Sequence, residues 1–362
     1  MAGGRHPMKQ LLKLLLLPFS AIYGSITFIR NKFYDWGWLP SQAFDLPLIS
    51  VGNISTGGTG KSPAVEYLIR LLQKQSISIA TLSRGYGRQT RGYILADAGA
   101  TAATIGDEPL QFFRKFNDVA VAVCEDRVKG IAHLLRRVPA PGVILLDDAF
   151  QHRRVKPGLS ILLTQYNNIY SHDFVLPAGR LREFRCGAAR ADIIIVTKSP
   201  EQLPETAKDK IIKSLRPLPN QVVLFSHIEY NDFQPFFKDQ CQKYLSSTED
   251  FELLLFTGIA DARPLITRLE ALCKKLHIMH FGDHHVYSQK DIRTISGKFR
   301  NIVTEKKAIV TTEKDFSRLA HQDICNELSD FPVFYIPVEM GFSENDKKIF
   351  ENKIVDYVAK NQ

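Results

Sequence analysis

Residues 46–72 read LPLISVGNISTGGTGKSPAVEYLIRLL: an apolar run, a glycine-rich turn, a Lys-Ser pair and then a helical pattern. A strand that feeds a helix through such a turn is the context a phosphate-binding loop requires. Backbone N–H groups freed by Gly57, Gly58 and Gly60 can converge on phosphate oxygens, and the helix N-terminus adds the positive end of its dipole. The predicted cradle is Ser55, Thr56, Gly57, Gly58, Thr59, Gly60, Lys61 and Ser62, with Lys61 reaching the β- and γ-phosphates and the Ser62 hydroxyl offered to magnesium. One position departs from the strict GxxxxGK[ST] pattern: Ser55 stands where glycine is usual, and Gly52 lies outside the frame.

Outward from this loop the same alternation continues. LPLISV at 46–51, ISIATL at 77–82, VAVAV at 119–123, GVILL at 142–146, LSILLT at 159–164 and DIIIVT at 192–197 are uniformly apolar, as strands buried on both faces must be. PAVEYLIRLLQKQ and PLQFFRKF carry helical periodicity between them, which predicts an α/β fold with a doubly wound, P-loop NTPase-like parallel sheet. The strand at 142–146 runs into Asp147 and Asp148, the carboxylates expected to meet magnesium or its waters; taken alone, such a pair reads equally as a solvated turn or a helix cap. A second α/β set follows, with FELLLF at 251–256, a helix over 264–275, KAIVTT at 307–312 and FPVFYI at 331–336. The expected organisation is an N-terminal arm over 1–39, a P-loop domain over 40–215 and a smaller α/β/α domain over 216–362.

With 362 residues, 44% of them apolar and 23% charged, the chain is globular and long enough for two domains. Lys and Arg number 47 against 38 Asp and Glu, so the net charge of +9 favours anionic partners: nucleotides, phospholipid headgroups, a phosphorylated substrate or nucleic acid. Nucleic acid is not expected, because the sequence has no recognition helix, RNP-like aromatic motif or basic stripe. No feature calls for an obligate protein partner. The five cysteines are scattered, with no CxxC pair, which argues against a zinc ribbon or disulfide framework and fits a reducing cytosol.

The arm itself, MKQLLKLLLLPFSAIYGSITFIRN at 8–31, is apolar enough to leave water, but Lys13 and Pro18 interrupt it before a clean membrane span accumulates. On a helical projection Lys9, Lys13, Ser20, Gly24, Thr27 and Asn31 share one narrow sector, leaving Leu, Ile and Phe over most of the circumference. Arg5, Lys9, Lys13, Arg30 and Lys32 outnumber Asp35, which suits a helix lying on an anionic leaflet. The alternatives are a core helix or a secretory signal; bulky Tyr23 argues against the latter, as cleavage wants small residues there.

Further motifs stand in order along the chain: SRGYGR at 83–88, GDEP at 106–109, EDR at 125–127, LLDDAFQHR at 145–153, LPAGRLRE at 176–183, FGDHH at 281–285 and TTEKD at 311–315. With the phosphate loop they resemble the tetraacyldisaccharide 4'-kinase family of Gram-negative bacteria, from the N-terminal helix to about residue 315. Ala149 stands where many members have glycine, and Arg180 where proline is usual. The resemblance implies two α/β/α domains, an N-terminal helix at the cytoplasmic face of the inner membrane, and magnesium-dependent transfer from ATP to the 4'-hydroxyl of a lipid A disaccharide 1-phosphate. It places the proton-accepting role on Asp107 of GDEP, paired with His284 of FGDHH. Because the two fall in different predicted domains, it also implies closure to bring them together.

Each of these residues has an ordinary reading as well. Asp107, two positions before Pro109, looks like a helix N-cap, and His284 beside His285 looks like a surface turn. Arg84, Arg88 and Arg182, with Glu183, are candidates for binding ATP or the substrate 1-phosphate, or for a solvated basic loop. Tyr86 could stack on a ring or simply pack. Gln151 and His152 are candidates for holding the metal's waters, or for capping a helix. Without GDEP and FGDHH, the P-loop and the arm would equally describe a membrane-attached nucleotide switch with no lipid kinase activity.

Overall fold

The computed structural model describes residues 7–237, 248–283, 285–319 and 323–361. The chain divides into two compact units, Met1–Ile228 together with Met340–Gln362, and Glu229–Glu339.

The first unit opens with helix α1 (Pro7–Asp35) and then alternates strand and helix: β1 (Leu48–Gly52), α2 (Lys61–Lys74), β2 (Ile79–Ser83), β3 (Ile94–Leu95), α3 (Ala102–Ile105), α4 (Asp107–Lys115), β4 (Val119–Val123), α5 (Arg127–Leu135), β5 (Val143–Asp147), β6 (Leu159–Gln165), β7 (Ile193–Thr197), α6 (Glu205–Leu215) and β8 (Val222–Tyr230). The second unit holds β9 (Gln234–Pro235), β10 (Glu252–Thr257), α7 (Arg263–Leu272), β11 (Lys275–His280), α8 (Gln289–Arg300), β12 (Lys307–Thr312), α9 (Glu313–Leu319) and β13 (Val333–Ile336). The chain then returns through β14 (Val338–Phe342) and α10 (Glu344–Ala359) to the first.

The larger sheet runs β14-β8-β7-β6-β1-β5-β2-β4-β3. The pairs from β8 through β7, β6, β1, β5 and β2 to β4 are parallel, and the short β3 joins β4 antiparallel at one edge. Successive residues of one strand feed opposite faces: Val143 and Leu145 enter the core under α2, α4 and α10, while Ile144 and Leu146 enter the core under α5. That two-sided burial is why these strands are apolar without alternation. β1 lies between β5 and β6, and Val51 is paired with Asp147, so the phosphate loop and the double aspartate leave neighbouring strands at the same sheet edge. The carboxyl ends of adjacent strands are where open α/β sheets bind ligands.

The predicted strands are present within two residues of their expected bounds. The helix expected over 264–275 stops at Leu272, because Lys275 already belongs to β11, in register with Glu252 of β10. The expected domain division at 215/216, with everything beyond it in the smaller domain, differs from the structure in two respects. The chain passes to the second unit only at 228/229, inside β8, and residues 340–362 belong to the first. Phe350, Ile354 and Val358 of α10 are buried in the core under α2, and the Tyr357 hydroxyl accepts from the Leu48 N–H (3.0 Å) and donates to its carbonyl (3.2 Å).

Candidate active site

The phosphate loop turns where its glycines allow it. Gly57 (φ +103°) and Gly60 (φ +86°) occupy conformations that side chains disfavour, and Gly60 is the residue from which α2 starts. Ser55 needs no such freedom: it is extended and bridges Leu181. The Thr56 N–H donates to the Arg180 carbonyl (2.8 Å) and the Arg182 N–H to the Ile54 carbonyl (2.7 Å), so LPAGRLRE is zipped to the first half of the loop. Arg180 enters this pairing through its carbonyl, a group that proline would also supply. The other half is held by Asn53, whose amide donates to the Thr59 hydroxyl (2.7 Å), and by Thr197, whose hydroxyl donates to the Thr59 carbonyl (2.8 Å).

Three acidic groups gather around Lys61 and Ser62. Asp148, in a left-handed conformation (φ +46°), lies 3.9 Å from the Lys61 ammonium and 3.1 Å from Arg182. Asp147, at the end of β5, is 2% exposed. Burial first, then the nearby carboxylates of Glu108 and Asp148, push its carboxyl well above the ordinary range, against the pull of Lys61 and Arg127. Its Oδ1 is buried without a hydrogen-bond partner. Ser62 donates to Glu108 Oε1 at 2.9 Å.

An orphaned buried carboxylate oxygen beside a hydroxyl and a second carboxylate suits a hard divalent cation. Ser62, Asp147 and Asp148 are the residues expected to hold Mg²⁺, and Glu108, bound to Ser62, stands beside them as a further candidate. Among the described residues no three His, Cys, Asp or Glu side chains form a metal cage of their own.

Asp107 is the first residue of α4, and the N-cap is Gly106 (φ +92°), which sets aside the N-cap reading of Asp107. A Cβ at Gly106 would meet the Tyr86 carbonyl at 2.9 Å, so α4 begins hard against the SRGYGR turn. Within that turn Arg84 and Tyr86 are exposed, whereas the Arg88 side chain is buried and bound to Glu125 and the Gly92 carbonyl. Arg88 thus braces the turn rather than reaching outward to an anion.

The remaining predicted residues form a buried network behind the loop. Gln151 donates to the Asn53 carbonyl (2.8 Å) and to Glu183 Oε1 (3.0 Å), and accepts from Arg182 (3.3 Å). Glu183 also receives Arg190 (2.8 Å) and, from α1, the Asn31 amide (2.7 Å). His152 accepts the Arg127 backbone N–H at Nε2 (3.3 Å); burial and the Arg127 charge lower its pKa to about 4. Arg127 donates to the Cys124 and Asp147 carbonyls, while Asp126 caps α5 and meets Arg154.

The structure therefore brings the loop, Asp147, Asp148, Gln151, Arg182 and Glu183 together. Glu108 and Asn53 were not singled out as site residues by the sequence reading, and Asn31 and Arg127 were noted only as part of the arm's polar sector and of EDR. Glu108 carried a signal as the second carboxylate of GDEP. His284 lies outside the described residues; its neighbour His285 is stacked on Phe281 and bound to Asp291 (3.1 Å).

Comparison with known proteins supplies a family. A family model described as "Tetraacyldisaccharide-1-P 4'-kinase" matches residues 12–358. A tetraacyldisaccharide 4'-kinase of Bacteroides thetaiotaomicron is 43% identical over 355 residues, covering 96% of this chain and 93% of that protein. Its counterpart in Flavobacterium psychrophilum is 44% identical over 349 residues, covering 96% and 97%. A crystal structure of LpxK from Aquifex aeolicus in complex with ATP superposes with a TM-score of 0.73 at 28% identity, over 96% of this chain and 99% of that one.

Proposed function

This chain belongs to the tetraacyldisaccharide-1-P 4'-kinase family, and on that footing we propose that it transfers the γ-phosphoryl group of ATP to the 4'-hydroxyl of a tetraacyldisaccharide 1-phosphate. The products are ADP and the bisphosphorylated lipid A precursor. The observation that carries this reading is the junction of two helix N-termini. α2 presents Lys61 and Ser62, α4 presents Asp107 and Glu108, and Ser62 bonds to Glu108 across them.

Phosphoryl transfer asks a protein mainly for positioning and charge neutralisation. Lys61 and the loop N–H groups hold the phosphates, and Arg182 and Lys61 keep Asp148 in place beside them. Mg²⁺, when bound, neutralises charge that builds on the phosphate oxygens. Asp107 is assigned as the acceptor of the sugar hydroxyl's proton, because a carboxylate at the first turn of α4 is one residue from Glu108 and so beside the phosphate loop. The assignment of His284 as its partner rests on the FGDHH motif alone.

The membrane surface is the proposed workplace. α1 exposes Leu14, Leu15, Phe19, Ile22 and Ile26, and Lys13–Asp35 is long and apolar enough to cross a membrane by length and composition. A helix with this surface suits a lipid acceptor on the cytoplasmic face of the inner membrane.

With γ-labelled ATP, Mg²⁺ and the disaccharide 1-phosphate, label is expected in the lipid; label in free phosphate alone would refute the reading. Asp107→Asn is expected to lower kcat by about 10²–10⁴-fold while ATP affinity stays within about threefold. His284→Ala is expected to lower kcat in the same assay.

A further inference from the structure

Glu66 is a buried carboxylate in the middle of α2 for which phosphoryl transfer has no direct use. It is 1% exposed, yet three donors converge on it: Gln111 Nε2 on Oε1 (2.8 Å), Lys115 Nζ on Oε2 (2.7 Å) and Arg70 Nη2 on Oε2 (3.2 Å). Gln111 and Lys115 belong to α4, the helix that opens with Asp107. At 100° per residue Glu108, Gln111 and Lys115 fall within about 60° on α4, and Ser62, Glu66 and Arg70 within about 80° on α2. Two polar stripes therefore face each other, joined at one end by the Ser62–Glu108 hydrogen bond and in the middle by Glu66.

The apolar contacts of the pair do not fix rotation in the same way. Phe112 of α4 packs with Val65, Leu68 and Ile69 of α2 in one core, and apolar side chains tolerate small slips that a carboxylate with directed donors does not. A buried charge is also costly to leave unpaired, so the register in which all three donors reach Glu66 is strongly preferred.

We propose that Glu66 is a positioning residue for phosphoryl transfer. It sets the rotation of α4 on α2, and with it the direction in which Asp107 points from the first turn. This rests on the reading of Asp107 as proton acceptor. A side-chain tip lies about 5–6 Å from its helix axis, so a rotation of about 10° displaces it by about 1 Å. Displacements of that size reduce rates by up to about 100-fold.

The test uses the full-length protein, labelled ATP, Mg²⁺ and the lipid acceptor, in a double-mutant cycle. Glu66→Leu is expected to lower kcat by about 10–100-fold with the KM for ATP within about twofold, and Glu66→Gln, which keeps the packing and one acceptor, by a smaller factor. In an Asp107→Asn background the same Glu66→Leu change is expected to alter kcat by less than about twofold, because the residue it positions is already disabled. A loss of folded protein would instead multiply equally in both backgrounds.

An equal factor in both backgrounds, or a kcat for both Glu66 variants within twofold of wild type, overturns the inference. Wild-type protein that labels no lipid, or an Asp107→Asn variant as active as wild type, overturns the functional reading and the inference with it. Should Glu66→Leu fail to fold, Glu66→Gln carries the cycle, with ATP titration reporting the intact loop.

Discussion

At His152 the ring is turned inward, accepting a backbone N–H with a nitrogen that must stay unprotonated to do so. Its pKa falls from 6.5 to about 4 because burial and Arg127 disfavour the cation. The unfolded chain binds this proton below about pH 6.5, and the folded one only near pH 4. The group therefore contributes stability that is complete above the unfolded value and drains away as the pH drops through that window. Thermal unfolding should show wild type ahead of His152→Gln near pH 7, with the gap closing towards pH 5; a constant gap would refute this.

At this scale the P-loop, Asp147 and Asp148 were legible because backbone demand and charge chemistry leave a local mark. Glu66 was not, because its meaning comes from Gln111 and Lys115 on another helix, and pairing across helices has no signature in either one's own pattern.

Helix α1 shows what periodicity can and cannot tell. The sector of Ser20, Gly24, Thr27 and Asn31 was visible, but its small and polar residues face the protein rather than water. Ser20 accepts from the Ala178 N–H (2.8 Å), and Asn31 reaches Glu183. A Cβ on Gly24 would come within 2.5 Å of the Phe184 ring. The apolar surface is the one left outward. Two substitutions separate the faces. Ile22→Asp with Ile26→Asp is expected to weaken binding to anionic vesicles by about tenfold or more while leaving the melting temperature unchanged. Gly24→Leu is expected to lower the melting temperature by displacing Phe184. If both variants bound vesicles equally well, the outward surface would not be the lipid-facing one.

For the whole molecule, strand–helix alternation gave the layered sheet, whereas the ownership of the C-terminal segment depended on which core α10 covers. Phe350 is 1% exposed among residues of β1, α2 and β6. Phe350→Ala should destabilise the first unit by about 3–5 kcal/mol, read as a lower urea midpoint for loss of ATP binding. An unchanged midpoint would mean that the segment is a dispensable tail.

The placement of β14 and α10 also sets an order of events during synthesis. A ribosome releases roughly 5–20 residues per second. The sheet begun at Leu48 therefore waits about 6–22 s, while residues 229–339 emerge, before its last strand and its covering helix exist. Through that interval the nascent polypeptide carries a half-roofed apolar surface beside an already greasy leader, which makes it a natural client for chaperones.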